Sequence, residues 1–295
     1  MTQAKPTMIE LLMLCGFAVD DATAFIFAVC PDDWGDPKRE TFVYRVHAGE
    51  AEYVQTIHHP LNDCWWSRHG VVHVTTDSAE VMSFERGCVS TERVCPRVEA
   101  LEAIIGFSGA TSADDVLIAC GNTSLFVRSA GRWSEYPLPD DVSELYRLHG
   151  RSADEVYVCT DAGLYLWNGQ TFAPREGPDD EIIDVFVRSE TELVAVGDGV
   201  HAWSDALGWS ELKSPFGQHS VGLCSLDNSL YIPSRSGIAR LTGTVLEKVC
   251  ATPSGQLVAV GHRVVAAGRD RGLTVGTGNR WQRLPLALPR AAGKS

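Results

Sequence analysis

The feature that most constrains the fold is a stretch that occurs twice in succession. Residues 112–139 read SADDVLIACGNTSLFVRSAGRWSEYPLP, and residues 152–174 read SADEVYVCTDAGLYLWNGQTFAP. Ser112 and Ser152 lie 40 residues apart, as do Asp114 and Asp154. Each copy consists of short apolar runs separated by Gly, Asn, Asp and Ser, a pattern that predicts consecutive strands joined by tight turns. The chain is therefore built from a repeated unit of strands.

A period near 40 residues with four strands per unit is typical of a β-propeller blade. Seven such units, with strands a to d, can be laid along the chain. The predicted fold is thus an all-β, seven-bladed propeller with four antiparallel strands per blade. We expect residues 1–289 to form a single domain and residues 290–295 to form a frayed tail. The first a strand is predicted at Met8–Cys15 and that of the second unit at Cys64–Arg68.

An apolar side chain on the outer strand marks the period. Successive anchors are spaced by 39, 37, 36 and 36 residues: Trp133, Phe172, Trp209, Val245 and Trp281. Such a residue would cover the packing face of its own blade. The first and the last unit each contain all four of their strands. We therefore expect the ring to close by side-chain packing, without a shared sheet, and to open first at blades 1 and 7.

The turn between strands a and b carries a resemblance to a known family. Ser-Ala-Asp-Asp at 112–115, Ser-Ala-Asp-Glu at 152–155 and Ser-Glu-Thr-Glu at 189–192 resemble a turn of bacterial propeller repeats in the broad YVTN and WD-repeat-like superfamily. No Trp-Asp dipeptide ends a blade, so the resemblance is one of fold. It implies a binding platform and does not name the partner. We expect the Ser and Asp side chains to hold the turn through bonds to the backbone.

Composition limits the class of partner. The chain has 25 Lys plus Arg against 38 Asp plus Glu, a net charge of −13. This charge argues against nucleic acid and an anionic membrane and favours a basic partner, although it could serve solubility alone. The nine cysteines include no C-x-x-C pair and several end apolar runs, which indicates reduced buried thiols and a cytoplasmic protein. Met8–Val19 lacks a signal-peptide cleavage pattern and is interpreted as a first strand.

The carboxylates are distributed unevenly over the predicted loops. In a propeller the b–c and d–a loops share one face around the central channel, and most loop aspartates fall there. Trp34, in the longest loop, would be an exposed anchor on this face, or would instead pack back on its blade. The alternative for the aspartates is a solvated face with Asp-favoured turns. The predicted partner-binding residues are Asp32, Asp33, Trp34, Asp36, Asp63, Asp77, Asp140, Asp141, Asp161, Asp179, Asp180 and Asp198.

Motifs for catalysis or metal binding are lacking in the sequence. His58, His59, Asp63, Cys64, His69 and His73 include metal-ligand residue types, but their spacing fits no zinc pattern. No G-x-S-x-G motif occurs, and the terminal Ala-Gly-Lys-Ser is not a P-loop. We therefore predict no cofactor, no metal and no catalytic residues.

The predicted function is that of a non-catalytic protein-binding propeller whose acidic loop face docks a basic protein. The partner could be a bacterial toxin, in which case the chain would be an inhibitor or immunity protein. We expect the protein to be a monomer on its own. The alternative is a hydrolase or lyase with its active site at the mouth of the channel. A ligand-sized pocket with converging carboxylates or histidines would favour that enzyme.

Overall fold

The computed structural model describes residues 13–18, 23–29, 40–47, 50–85, 88–121, 123–178, 181–216, 222–252, 254–260, 262–268 and 272–286. These residues form seven sheets, each with four antiparallel strands in the order a, b, c, d. This confirms the predicted seven-bladed β-propeller. The described part of the chain contains no helix that could span a membrane.

The strands, numbered in chain order with four to a blade, are β1 Met13–Ala18, β2 Thr23–Val29, β3 Thr41–His47, β4 Glu50–Ile57, β5 Leu61–Trp66, β6 Val72–Thr76, β7 Glu80–Glu85, β8 Cys88–Arg93, β9 Ala103–Phe107, β10 Val116–Cys120, β11 Ser124–Ser129, β12 Arg132–Pro137, β13 Leu145–Ser152, β14 Glu155–Thr160, β15 Gly163–Trp167, β16 Phe172–Arg175, β17 Ile182–Ser189, β18 Glu192–Gly197, β19 Val200–Ser204, β20 Gly208–Glu211, β21 Cys224–Leu226, β22 Ser229–Ser234, β23 Gly237–Thr242, β24 Val245–Cys250, β25 Ser254–Val260, β26 Arg263–Gly268, β27 Gly272–Thr277 and β28 Arg280–Pro285. One short 3₁₀ turn, Ser112–Asp114, precedes β10.

The b strands are largely apolar and buried because both of their faces are covered by neighbouring blades. In β10, Ile118 and Cys120 belong to the cluster between blades 3 and 4. Ala119, which lies between them in sequence, belongs to the cluster between blades 2 and 3. Successive side chains of one strand thus serve two different interfaces, as the period of two requires.

The core consists of seven hydrophobic clusters within the described residues, one for each pair of adjacent blades. The cluster between blades 1 and 7 includes Ile26 and Tyr44 on one side and Val265, Leu273 and Val275 on the other. All four strands of each of these blades come from one end of the chain. The ring therefore closes by side-chain packing without a shared sheet, as predicted.

One sequence-based prediction about packing was wrong, and one strand prediction lies largely outside the described residues. The first strand is described over Met13–Ala18, and residues 13–15 of it belong to the predicted Met8–Cys15. The outer-strand anchor of blade 6 is Leu246, which packs between blades 5 and 6, whereas Val245 is exposed. Leu246 is the second residue of β24, and Trp209 is likewise the second residue of β20. Side chains alternate along a strand, so only that position faces the preceding blade.

The a–b turns are held by the side chains that the sequence indicated. In blade 3, Asp114 Oδ2 accepts a hydrogen bond from the backbone N–H of Thr111 at 3.1 Å. In blade 4, the Ser152 hydroxyl donates to Asp154 Oδ1 at 2.6 Å. In blade 5, the backbone N–H of Thr191 donates to the Ser189 hydroxyl at 3.2 Å. These turns are local structural devices, as expected for Ser and Asp at such positions.

Candidate functional site

The b–c turns on the predicted binding face are fixed by hydroxyl groups at the ends of the b strands. The Thr160 hydroxyl donates to the carbonyl of Gly163 at 2.8 Å and accepts from the N–H of Ala162. The Ser234 hydroxyl donates to the carbonyl of Gly237 in the same way, at 3.1 Å. A side chain that closes its own turn leaves the residues at the turn tip exposed at a fixed position.

The predicted binding residues divide into three groups. Asp77, Asp140, Asp141, Asp161 and Asp198 lie in b–c or d–a loops, as the sequence suggested. Asp63 does not: it lies inside β5, because pairing of Leu61 with Thr76 starts this a strand three residues before the predicted Cys64. The remainder lie outside the described residues: Asp32, Asp33, Trp34, Asp36, Asp179 and Asp180.

Two of the loop aspartates also organise the loops that carry them. Asp161 accepts hydrogen bonds from the backbone N–H groups of Ser143 and Glu144, both at 3.0 Å, and from the Ser143 hydroxyl. These bonds hold the pKa of the Asp161 carboxyl below its usual value. Asp141 accepts a bond from the Tyr165 hydroxyl at 2.8 Å. Asp161 therefore joins its b–c turn to the d–a connection before β13, and Asp141 joins the same connection to strand c of blade 4, β15.

Carboxylates of neighbouring blades act on one another at this end of the channel. Burial raises the pKa of Glu102, Arg147 opposes that rise, and the negative charges of Glu144 and Asp77 add to it. The sequence prediction missed Glu102 and Glu144, since both lie in the connections that lead into a strands. Their signal is their position: Glu102 lies between the buried Leu101 and the start of β9, and Glu144 directly precedes Leu145, the buried first residue of β13.

Tyr146, in β13 of blade 4, lies near the same carboxylates. Its hydroxyl donates to Glu181 Oε1 at 3.1 Å. Burial raises the pKa of Tyr146 to about 12, and Glu181, Glu144 and Asp161 contribute to the shift. The connections of blades 2 to 5 thus bring carboxylates within electrostatic range of each other, and we call this set Asp77, Glu102, Glu144, Asp161 and Glu181 the acidic rim.

Below this mouth the channel contains a cavity of about 340 Å³. The a strands of blades 2, 4 and 5 contribute its charged residues, Asp63, Arg147 and Asp184, and His149 also lines it. Each of the three charged residues follows an irregularity in the pairing of strands a and b. A β-bulge re-aims the following side chain, which here carries a charge at the same position in three blades.

Asp63 and Asp184 make equivalent contacts between blades. Asp63 accepts the N–H of Cys64 at 2.9 Å and that of Ile104, in blade 3, at 3.1 Å. Asp184 accepts the N–H of Val185 and that of Leu223, in blade 6, each at 2.8 Å. Burial raises the pKa of both carboxyls, that of Asp184 to about 6, while Arg147 lowers both. The two carboxylates therefore join adjacent blades and share one guanidinium charge.

His149 occupies the same cavity as a neutral group. Burial lowers its pKa to about 4. Its Nδ1 accepts the backbone N–H of Val187, in blade 5, at 3.3 Å, which assigns the proton to Nε2. His149 thus joins blades 4 and 5 through a hydrogen bond.

The histidines that the sequence offered as possible metal ligands are dispersed in the structure. His58 Nδ1 lies 2.9 Å from Glu40 Oε1, and His73 Nδ1 lies 2.8 Å from the Ser83 hydroxyl. His69 contacts the carbonyl of Gly109 through Nε2 at 3.1 Å. Among the described residues no group of three or more His, Cys, Asp or Glu side chains could hold a metal ion.

Comparisons with known proteins agree on the fold. No protein-family model matches this chain, and no curated protein matches its sequence. Among solved structures, YCF48 bound to D1 peptide is 13% identical over 96% of this chain and 95% of that chain, with a TM-score of 0.67. The WD40 β-propeller domain of Doa1 is 10% identical over 91% of this chain and 97% of that chain, with a TM-score of 0.66.

A third similar structure is the extracellular domain of the putative hybrid two component system BT3049 from B. thetaiotaomicron. It is 11% identical over 93% of this chain and 41% of that chain, with a TM-score of 0.68. At these identities the similarity extends to the fold and not to a particular family. The chain is a seven-bladed β-propeller.

Proposed function

We propose that this protein is a non-catalytic binding propeller whose acidic rim docks a basic segment of another protein. The observation that carries the proposal is that the connections of four consecutive blades place carboxylates at one mouth of the channel, where their charges help to raise the pKa of Glu102 and Tyr146. Like charges held together by a rigid scaffold are costly unless a cation neutralises them. A Lys- or Arg-rich segment would relieve this repulsion, and its association would weaken as salt rises.

The similar solved structure of YCF48 holds a D1 peptide, which supports a peptide or protein as the class of partner. The net charge of −13 supports a basic one. A narrower form of the proposal is that the partner is a bacterial toxin and that the propeller acts as its inhibitor or immunity protein. Expression of the captured partner in a host, with and without the propeller, tests it: growth restored only by the propeller supports the immunity role.

The docking experiment compares two triple variants. The rim variant is Asp77→Asn, Glu144→Gln, Glu181→Gln. The control variant, Glu50→Gln, Glu85→Gln, Asp227→Asn, removes the same charge from exposed residues in or beside the c–d and a–b turns, at the opposite face. Each is immobilised and exposed to source-cell extract at low and at high salt. We expect a basic protein that wild type and control retain at low salt, that salt elutes, and that the rim variant does not retain. Equal retention by the rim variant would contradict the proposal.

A cytoplasmic location is part of the proposal. Seven cysteines in the described residues are free, and five of them are buried: Cys95, Cys120, Cys159, Cys224 and Cys250. Burial raises the pKa of the Cys224 thiol to about 12, so it stays protonated and unreactive at neutral pH. Reduced buried thiols suit a reducing compartment. Fractionation of source cells should recover the protein with soluble cytosolic markers.

The channel cavity favours one second candidate, a hydrolase or lyase that uses Asp184 near its raised pKa as a proton-transfer group. Against it, Asp63 and Asp184 each already accept two backbone N–H groups, and His149 Nδ1 accepts another. Turnover of a small substrate that disappears in Asp184→Asn, with retention of the basic protein unchanged, would favour the enzyme.

A further inference from the structure

The outer edge of blade 5 carries a groove that the acidic rim does not include. It is formed by β20, by Trp203 of β19 and by the connection that follows β16, and its volume is about 560 Å³. Trp203 and Trp209 form its floor, with ring centroids 6.5 Å apart. The indole N–H of Trp209 donates to the carbonyl of Glu176 at 2.7 Å, which fixes the facing wall. The groove is therefore aromatic and already formed.

The strand beside the groove presents free backbone groups. The N–H of Leu212 donates to the carbonyl of Val200 at 2.7 Å, so the backbone N–H of Leu212 points toward the neighbouring strand β19. In an antiparallel ladder successive residues point their N–H and C=O groups to opposite sides. Trp209 and Glu211 must then point theirs away from β19, and no backbone bond from either to another described residue outside the ladder is found. An edge of this kind is a template for an added strand.

Apolar exposure and charge indicate what would add to this edge. Leu207, in the turn before β20, is 84% exposed, more than any other large hydrophobic residue of the described chain. Two carboxylates line the groove, those of Glu176 and Glu211, and the guanidinium of Arg175 lies over the Trp203 ring, 5.6 Å from its centroid. Carboxylates therefore outnumber cations among these residues. A complementary segment would therefore combine apolar side chains with basic ones.

We propose that blade 5 binds an extended peptide segment of a partner protein as a fifth strand paired to β20, with apolar and basic residues following one another on the face that meets the groove, that is, at every second position. Backbone N–H and C=O groups of Trp209 and Glu211 would bond the peptide main chain. Its apolar side chains would contact Trp203, Trp209 and Leu207, and its basic side chains would meet Glu176 and Glu211. This surface lies on the circumference of the ring, so it is independent of docking at the acidic rim.

The test uses a capped synthetic peptide of about eight residues, the length of an ordinary strand. Valine and lysine follow one another at every second position, so that they share one face, and threonine fills the positions between them. Binding to the purified protein is measured by tryptophan fluorescence and by calorimetry. Glu211→Pro removes an N–H that points outward, so it blocks pairing without breaking a bond to β19. We expect it to weaken binding at least about tenfold, which corresponds to one or more lost hydrogen bonds.

Matched controls separate backbone pairing from charge. Glu211→Gln should weaken binding only about threefold and reduce its salt dependence. Val245→Ser, which removes an exposed apolar residue from the outer strand of blade 6, should change nothing. A peptide N-methylated at alternate residues should fail to bind, because it cannot pair. The rim variant should bind the peptide as wild type does.

Binding that survives both Glu211→Pro and N-methylation would overturn the proposal, and so would the absence of any binding to wild type. Binding lost in the rim variant but kept in Glu211→Pro would place the peptide on the acidic rim and would also overturn it. Neither result depends on whether the rim docks its own partner, so the two proposals can fail separately.

Discussion

His73 is a buried titratable group whose charge state couples to folding. Its ring stacks on Trp65, with centroids 5.7 Å apart, and Nδ1 bonds to the Ser83 hydroxyl. Burial lowers its pKa to about 4, Arg128 adds to the shift and Asp115 opposes it. The folded chain therefore keeps His73 neutral at pH values where the unfolded chain protonates it. Between pH 6.5 and 4 the unfolded state binds more protons, so stability is lost as pH falls.

We predict that His73→Phe removes part of this acid sensitivity. Phenylalanine retains the stacked ring and cannot titrate, although it leaves Ser83 without its partner. The free energy of unfolding, from urea titrations at pH 7 and pH 4.5, should fall between these pH values by about 2–3 kcal/mol less in the variant than in wild type. The exposed His58 is the control, and His58→Asn should keep the wild-type difference. An equal pH dependence in His73→Phe would contradict the prediction.

Trp65 also explains why a glycine stands at position 106. A Cβ built on Gly106 would lie 2.5 Å from two atoms of the Trp65 ring. The interface between blades 2 and 3 therefore depends on direct contact of the indole with the backbone of β9. The neighbouring Trp66 serves a different interface, because Trp65 packs against blade 3 and Trp66 against blade 1.

We predict that Gly106→Ala destabilises the protein by about 1–3 kcal/mol, the usual cost of overpacking. The added methyl group should cost much less when the ring is absent, as in the background Trp65→Leu. A double-mutant cycle by urea unfolding measures this coupling. Additive effects would mean that the ring moves away freely and that the contact does not restrict position 106.

At the scale of the strand, the bulged a strands place one positive charge between two negative ones. Asp63, Arg147 and Asp184 come from blades 2, 4 and 5, and Arg147 lowers the pKa of both carboxyls against the effect of burial. Each carboxylate also bonds a backbone N–H of the next blade. These hydrogen bonds and charges therefore link five consecutive blades, from blade 2 to blade 6.

We predict that Arg147→Met destabilises the protein more at pH 8 than at pH 5. Without the guanidinium, the pKa of Asp63 and Asp184 should rise further. A carboxyl with a raised folded pKa binds its proton more tightly than in the unfolded chain, so stability is lost as pH rises through that range. Because the channel is open to water, we expect a cost of about 1–3 kcal/mol at pH 8.

Urea unfolding at both pH values measures this effect. Asp184→Asn in the Arg147→Met background serves as the control, since it removes one uncompensated charge and should recover part of the loss at pH 8. A loss from Arg147→Met that is equal at both pH values, without recovery in the double variant, would assign Arg147 a packing role only.

Regular strands and turns could be predicted from the sequence, whereas β-bulges could not. Blades 3 and 4 repeat closely, and the first apolar run of residues 112–139 forms β10, Val116–Cys120. Turn chemistry also placed Asp77 and Asp161 on the correct face. Asp63 was misplaced, and Arg147 and Asp184 were missed. A bulge adds a residue without changing composition, so a period of two cannot show that the next side chain turns into the channel.

At the scale of the whole molecule, all seven interfaces between adjacent blades are hydrophobic clusters. They differ in whether the chain also connects the two blades. Six pairs of adjacent blades are joined by the chain itself, through a d–a loop. Blades 1 and 7 have no such loop between them, and in the described part of the chain they meet at their cluster, in which Leu273 is completely buried. In a repeat protein stability is approximately the sum of units and interfaces, so an interface without a covalent connection can open without unfolding either neighbour.

The ring should therefore open at this seam first, and Leu273→Ala should make it open more readily. The comparison is Leu241→Ala, which removes an equally buried leucine between blades 5 and 6. Both should lower the free energy of unfolding by about 2–5 kcal/mol. Only Leu273→Ala should speed hydrogen exchange in β2, β3, β26 and β27 while β10, β14 and β18 stay protected, because opening a terminal seam leaves the central blades packed. Limited proteolysis should then begin in blades 1 and 7. Uniform exchange across all blades in both variants would mean that the seven interfaces open together and that the missing connection has no energetic consequence.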